Sequence, residues 1–264
     1  MANTSNINQK RKLSKLGRRE FVSGLGSGML ALTYSPAMSA QGLTDLEGFD
    51  SIWRDAEHAI SHFFGPVDYV HTGATVELPQ YADVGSSVAL RVTIDCKMDE
   101  NDYPIVAHVF AHGNPTEQVL SVWFTPDGGI AEFSTRIRLE QSQMVTLTVK
   151  MSDGRYIRID REVTVSFGAC GQVGTGDNDD IHQFQPKTKV RVQSPAKVNE
   201  VVPVRALISH PMETGMRYSD THEWVRQRII ASFSCSYNGK VVFRARLYPA
   251  IATNPYFMCY LRAT

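Results

Sequence analysis

From residue 75 onward the chain alternates apolar and polar residues with a period of two. Val88, Leu90, Val92, Ile94 and Cys96 fall on one side of the alternation, and Ala89, Arg91, Thr93, Asp95 and Lys97 on the other. A strand with one buried face has this pattern, because successive side chains point to opposite faces. The same period predicts further strands at 75–78, 105–111, 119–125, 131–139, 144–151 and 156–167. Turn sequences separate them: Asn114-Pro115, Pro126-Asp127-Gly128-Gly129 and Ser152-Asp153-Gly154. About seven short strands so punctuated argue for an immunoglobulin-like sandwich. Ahead of them the spacing is helical. Trp53, Ala56, Ile60, Phe63 and Phe64 recur every three or four residues and predict a helix over 43–64, stopped by Gly65-Pro66.

The alternation breaks at 168–180, where four glycines and three aspartates leave almost nothing to bury. Such a composition cannot offset the entropy of being fixed, so it reads as a linker. Strand patterning resumes at 188–192, 201–208, 229–237, 241–247 and 256–261, with Asn238-Gly239 as a hairpin turn. The expected fold is all-β, two immunoglobulin-like β-sandwich domains with a short N-terminal helix on the first. The expected boundaries are a leader at 1–40, a first domain at 41–172, a linker at 173–186 and a second domain at 187–264.

Charge changes the picture at the N-terminus. Lys and Arg balance Asp and Glu over the 264 residues, yet the first forty carry six basic residues and one acid; without them the formal charge is −5. An acidic remainder has no clustered cations for phosphate, so no nucleic-acid partner is expected. Arg18-Arg19 stands directly before a weakly apolar stretch, 21–34, too short for a membrane helix, and a small-residue region follows at 35–40. This resembles a bacterial twin-arginine export signal, cleaved after Ser39 or Ala40. The resemblance implies a periplasmic protein with no membrane-spanning segment, in a compartment where oxidised cysteines persist.

Of four cysteines, Cys96, Cys235 and Cys259 lie in phase with apolar strand positions and read as packing residues. A Cys235–Cys259 disulfide stays open, because it depends on a distance the sequence does not carry. Cys170 differs. It directly follows a strand, and Gly168, Ala169 and Gly171 around it form a candidate flexible arm with no bulky side chain to shield the thiol. No second cysteine or histidine stands close enough to suggest a metal, and no cofactor fingerprint appears. His58 and His62 share a helical face without a third ligand. His108 and His112 lack the glutamate of a zinc-protease motif. Asp177, Asp179 and Asp180 do not fit a calcium loop. The run from His210 to Gly215 reads as a tight turn after a strand, or as a docking surface near the arm.

Residues 163–172, VTVSFGACGQ, resemble the end of SoxY, the sulfur-carrying subunit of the thiosulfate-oxidising system, whose chain finishes in a strand and a Gly-Gly-Cys-Gly-Gly arm. Residues 204–217, VRALISHPMETGMR, resemble a signature of its partner SoxZ, as do YNGKVVF at 237–243 and IATNPY at 251–256. The resemblance implies a SoxY–SoxZ fusion that carries sulfur intermediates on Cys170 and is not itself an enzyme. Its partners would be a haem protein that loads the thiol oxidatively, a hydrolase that releases sulfate and a sulfur dehydrogenase. Two departures stand out: Ala169 and Gln172 replace glycines of the arm, and the arm runs on into the linker. Fused carriers of this kind also accompany quinoprotein alcohol dehydrogenases, which implies as the alternative an accessory module in which Cys170 is dispensable.

Overall fold

The computed structural model describes residues 19–25, 28–36, 55–169, 186–219 and 221–264; of residues 19–25, 28, 35 and 36 it describes the backbone alone. The strands are β1 (Arg19–Leu25), β2 (Gly28–Pro36), β3 (Tyr69–Val70), β4 (Ala74–Glu77), β5 (Tyr81–Val84), β6 (Val88–Ile94), β7 (Pro104–Ala111), β8 (Gln118–Phe124), β9 (Glu132–Ile137), β10 (Gln143–Met151) and β11 (Tyr156–Phe167). In the second domain follow β12 (Thr188–Val192), β13 (Val201–Ile208), β14 (Ile230–Tyr237), β15 (Lys240–Leu247) and β16 (Tyr256–Arg262). The alternating segments fold as strands within a residue or two of expectation. Two short strands were not anticipated: β3 and β5 each pair parallel with β11 and are too brief to show a period.

The helix α1 (Ala56–Phe64) is shorter than the pattern suggests; residues 43–54 lie outside the described residues. Asp55 caps it by accepting the His58 N–H at 2.7 Å, and the Glu117 carboxylate accepts the Ala56 N–H. Its buried face (Ala56, Ala59, Ile60) packs on Phe110 with Phe63, Phe64 and Tyr69 around it. His108 is enclosed beneath this helix, its ring stacked on Phe63 at 4.4 Å and Nδ1 hydrogen-bonded to Ser121 Oγ at 2.7 Å.

Both sheets run through both domains. One has the order β1-β2-β14-β15-β8-β7-β10-β11-β3, with β5 also on β11; the other has the order β12-β13-β16-β9-β6-β4. The immunoglobulin-like sandwiches are therefore joined edge to edge. In the larger sheet β15 pairs antiparallel with β8, setting Phe243 opposite Phe124 and Leu247 opposite Leu120. In the smaller sheet β16 meets β9 with Met258 opposite Ser134. At the seam Phe124 and Phe133 from the first domain pack on Phe243 from the second, with ring centres 5.7 to 6.4 Å apart. Burying a side chain of this size contributes about 1.5–3 kcal/mol, so the seam belongs to one continuous core.

The segment read from sequence as an address has a place in this architecture. Strand β2 pairs along β14, setting Leu32 opposite Cys235 and Tyr34 opposite Phe233, and Leu30, Leu32 and Tyr34 are buried. Leu30, Leu32 and Tyr34 alternate with smaller residues, and β14 otherwise ends the sheet. An edge strand's unpaired N–H and C=O groups take up any extended segment of suitable pattern.

Burial holds the His108 imidazole neutral and pushes its pKa down to about 3. A folded-state value below the ordinary 6.5 means that the unfolded chain binds the extra proton first. The contribution of His108 is thus complete above about pH 6.5 and is lost as pH falls toward 3. Between pH 6 and 4, urea denaturation of wild type should lose stability faster than His108→Gln, by up to about 1.4 kcal/mol per pH unit. Equal slopes in the two proteins would show that His108 does not titrate differently on folding.

Candidate functional site

Cys170 and Gly171 lie outside the described residues; Gly168 and Ala169, which lead to them, are described. The end of β11 is held on one side by β5, with Thr164, Val165 and Phe167 opposite Tyr81, Ala82 and Val84. On the other side Ser142 Oγ accepts the Val165 N–H at 2.9 Å. Beyond the strand, the Ala169 N–H donates to the Leu139 carbonyl at 3.2 Å, and Ala169 is buried. A Cβ on Gly168 would sit 2.0 Å from the Glu140 carbonyl oxygen, and one on Gly85 would sit 1.9 Å from the Leu139 carbonyl oxygen. Both glycines are needed here for close backbone approach. The Leu139-Glu140 step is thereby gripped between Gly85, whose carbonyl accepts the Leu139 N–H at 2.8 Å, and Gly168-Ala169. Gly168 and Ala169 form the anchored end of the segment that carries Cys170.

The turn supplying that anchor is organised by two buried amides. Asn114 accepts the Glu140 N–H and donates to the Arg138 carbonyl, at 3.0 and 2.9 Å. Gln143 donates to Asn114 Oδ1 and accepts the Gly113 N–H, at 3.0 and 2.7 Å. The Oε2 atom of Glu140 is buried with no hydrogen-bond partner among the described residues.

One residue earlier, Arg138 ties this turn to the second domain. Its guanidinium donates to the Met212 carbonyl at 2.9 Å, the Pro249 carbonyl at 3.3 Å and Thr253 Oγ1 at 2.9 Å. Its backbone N–H donates to the Ala250 carbonyl, and the Ala252 N–H donates to the Arg136 carbonyl. Burial lowers the Arg138 pKa, while Glu213 and Glu140 favour the charged form. The sequence motifs at 210–215 and 251–256 therefore meet at Arg138, next to the step that holds Ala169.

The 210–215 segment is a tight turn, as read from sequence, with Met212 at φ +50° and Gly215 at φ +72°. His210 is buried. Its Nδ1 accepts the Met212 N–H at 3.0 Å, and its backbone exchanges hydrogen bonds with Asn254. Burial, with Arg228 nearby, lowers its pKa to about 4, so it is a neutral acceptor that shapes the turn. Glu213 accepts the Gly215 N–H and pairs with Arg217 at 2.9 Å. His58 and His62 are exposed on α1, and His112 hydrogen-bonds Thr146 at 2.8 Å. A groove of 490 Å³ on the smaller sheet, between Glu77, Pro79, Arg91, Arg136 and Tyr256, contains no cysteine or histidine, and its Arg91 is already paired with Glu132.

Sequence reasoning singled out Cys170, which lies outside the described residues, and expected Gly168 and Ala169 to be a flexible arm, whereas both are held against Leu139-Glu140; it did not single out Arg138, Asn114 or Gln143. Arg138 sat at the end of a predicted strand and looked like one more polar alternate, although the acceptors of its guanidinium are 73 to 115 residues away. Only the turn signal Asn114-Pro115 hinted at an organising amide.

The comparisons with known proteins follow this geometry. A family model for the sulfur oxidation protein SoxY matches residues 60–170, and one for the sulphur oxidation protein SoxZ matches residues 190–264. No curated protein matches the chain. Among solved structures, the sulfur carrier protein SoxY from Chlorobium limicola f thiosulfatophilum is 23% identical, with a TM-score of 0.35 over 41% of this chain and 94% of that one. A superoxide reductase (neelaredoxin) from Ignicoccus hospitalis is 13% identical, with a TM-score of 0.31 over 46% of this chain and 99% of that one.

Arg138→Ala should lower stability by about 3 kcal/mol, because its acceptors on the second domain lose a charged donor at a buried seam. Arg138→Lys, with one compact ammonium, should recover only part. Denaturant titration measures both, and a loss below about 0.5 kcal/mol for Arg138→Ala would remove the residue from its assigned role.

Proposed function

Because the chain joins a SoxY domain and a SoxZ domain in one polypeptide and is a SoxY–SoxZ fusion, we propose that it carries sulfur-oxidation intermediates covalently on Cys170. One observation carries the reading: the SoxY match ends on residue 170 itself, one residue past the buried, hydrogen-bonded Ala169. Cys170 is thus the next residue along the chain after a fixed anchor. Fixing the segment up to Ala169 confines the search of the thiol to the reach of the residues beyond it, which raises its effective concentration at a docked partner.

In the loading step the Cys170 thiol and thiosulfate form a sulfur–sulfur bond, giving a cysteine S-thiosulfonate. One proton and two electrons leave, and the electrons pass to a haem protein. Hydrolysis then breaks the bond to the terminal sulfonate, water supplies the oxygen of the released sulfate, and a persulfide stays on Cys170 for a sulfur dehydrogenase. The carrier supplies no turnover of its own; attachment replaces repeated diffusion of the cargo with successive docking events. The twin-arginine pattern at Arg18-Arg19 supports a periplasmic site of action.

Intact-mass measurement after incubation with thiosulfate and an oxidising haem partner tests the proposal. The expected result is a gain of one thiosulfonate group that reductant removes and that Cys170→Ser does not acquire. If no adduct forms while a quinoprotein dehydrogenase depends on the chain, the accessory role replaces the carrier role.

A further inference from the structure

Strand β14 belongs to the larger sheet and β16 to the smaller, so the two face each other across the core of the second domain. Phe233 on β14 and Phe257 on β16 stack nearly parallel, with centres 4.8 Å apart and an interplanar angle of 13°. Side chains two positions apart on a strand share a face. The next inward residues are Cys235 and Cys259, so they also meet across the core. Both are buried, at 0% and 1% exposure, and both are present as thiols. A hydrogen bond between the sulfurs, together with burial, pushes the Cys259 thiol up.

We propose that Cys235 and Cys259 form an intersheet disulfide when the chain folds in an oxidising compartment. The site is a facing pair at the centre of a sandwich, where immunoglobulin domains place their own intersheet bridge. Cys96, by contrast, is half-buried in the first domain, its sulfur 3.6 Å from the Ile94 carbonyl. Formation takes an external disulfide as oxidant. The two thiols lose two protons and two electrons, the Cys235–Cys259 bond forms, and the oxidant's sulfur–sulfur bond breaks to give two thiols. In the folded chain neither sulfur can be reached, and exchange needs an accessible thiolate. The bond therefore forms before the core closes and afterwards resists reductants.

The bridge has a consequence for Cys170, which rests on the carrier reading above. Once bridged, these two sulfurs cannot capture cargo by exchange even when the core opens transiently, which leaves Cys96 and Cys170. Burial raises the pKa of Cys96, and so disfavours its thiolate.

The full chain, unfolded and reduced, is refolded with and without oxidised glutathione, alkylated under denaturing conditions and mapped without reduction. The expected result, seen only with oxidised glutathione, is a linked pair of peptides containing Cys235 and Cys259, with Cys96 and Cys170 alkylated. Closing that loop should shift the folding equilibrium on the order of a hundredfold or more. This reads as a fall in the denaturation midpoint on unfolding with reductant, absent from the double variant Cys235→Ala, Cys259→Ala. Recovery of both cysteines as alkylated thiols, or either one linked to Cys96 or Cys170, overturns the proposal. The map uses the wild-type chain, so it decides even if the double variant does not fold. A bridge that forms in a chain whose Cys170 takes no cargo supports this inference and sinks only the carrier reading.

Discussion

Every strand at the border of a sheet presents a row of N–H and C=O groups that must be bonded to something, and here the two domains bond to each other. Alone, the first domain would end at β8 in one sheet and at β9 in the other; the second would end at β15 and β16. Pairing β8 with β15 and β9 with β16 satisfies these borders and brings Phe124, Phe133 and Phe243 into one cluster. The chain between the domains is therefore not what holds them together. Backbone ladders and a shared apolar core do that.

The anchored end of the segment that carries Cys170 is built on the same seam. Leu139 and Glu140 leave β9 next to the second domain, and the two close approaches at Gly85 and Gly168 let three stretches of backbone lie side by side. Arg138 then joins this packed step to the turns around Met212, Pro249 and Thr253. Neutral His210 and Glu213 serve the turn itself, one as an acceptor for Met212 and the other in a pair with Arg217. The second domain thus ties, through Arg138, to the turn that holds Ala169, and Cys170, the proposed carrier thiol, is the next residue along the chain.

Much of this was legible along the chain. Period-two alternation is a local property: one buried face imposes it residue by residue, so most strands were found nearly to their ends, as was the phase of Cys235 and Cys259. The glycines around Cys170 and the break in patterning after it were also local signals. The leader pattern and the β2 strand coincide in sequence, since a weakly apolar, alternating stretch suits both, and its strand role became visible only once β14 was seen to need a neighbour.

By itself, the sequence determined that this protein is all-β, that it has two domains, and that Cys170 follows a strand at the first domain's end. The tertiary structure alone decided that the sheets are continuous, that Gly168 is a contact with Glu140, that Arg138 is a tie between domains, and that Cys235 faces Cys259. The physical reason is range. Propensity and alternation act between neighbours, whereas Arg138 finds its acceptors 73 to 115 positions away, and only the closing of two sheets on one core selects those partners.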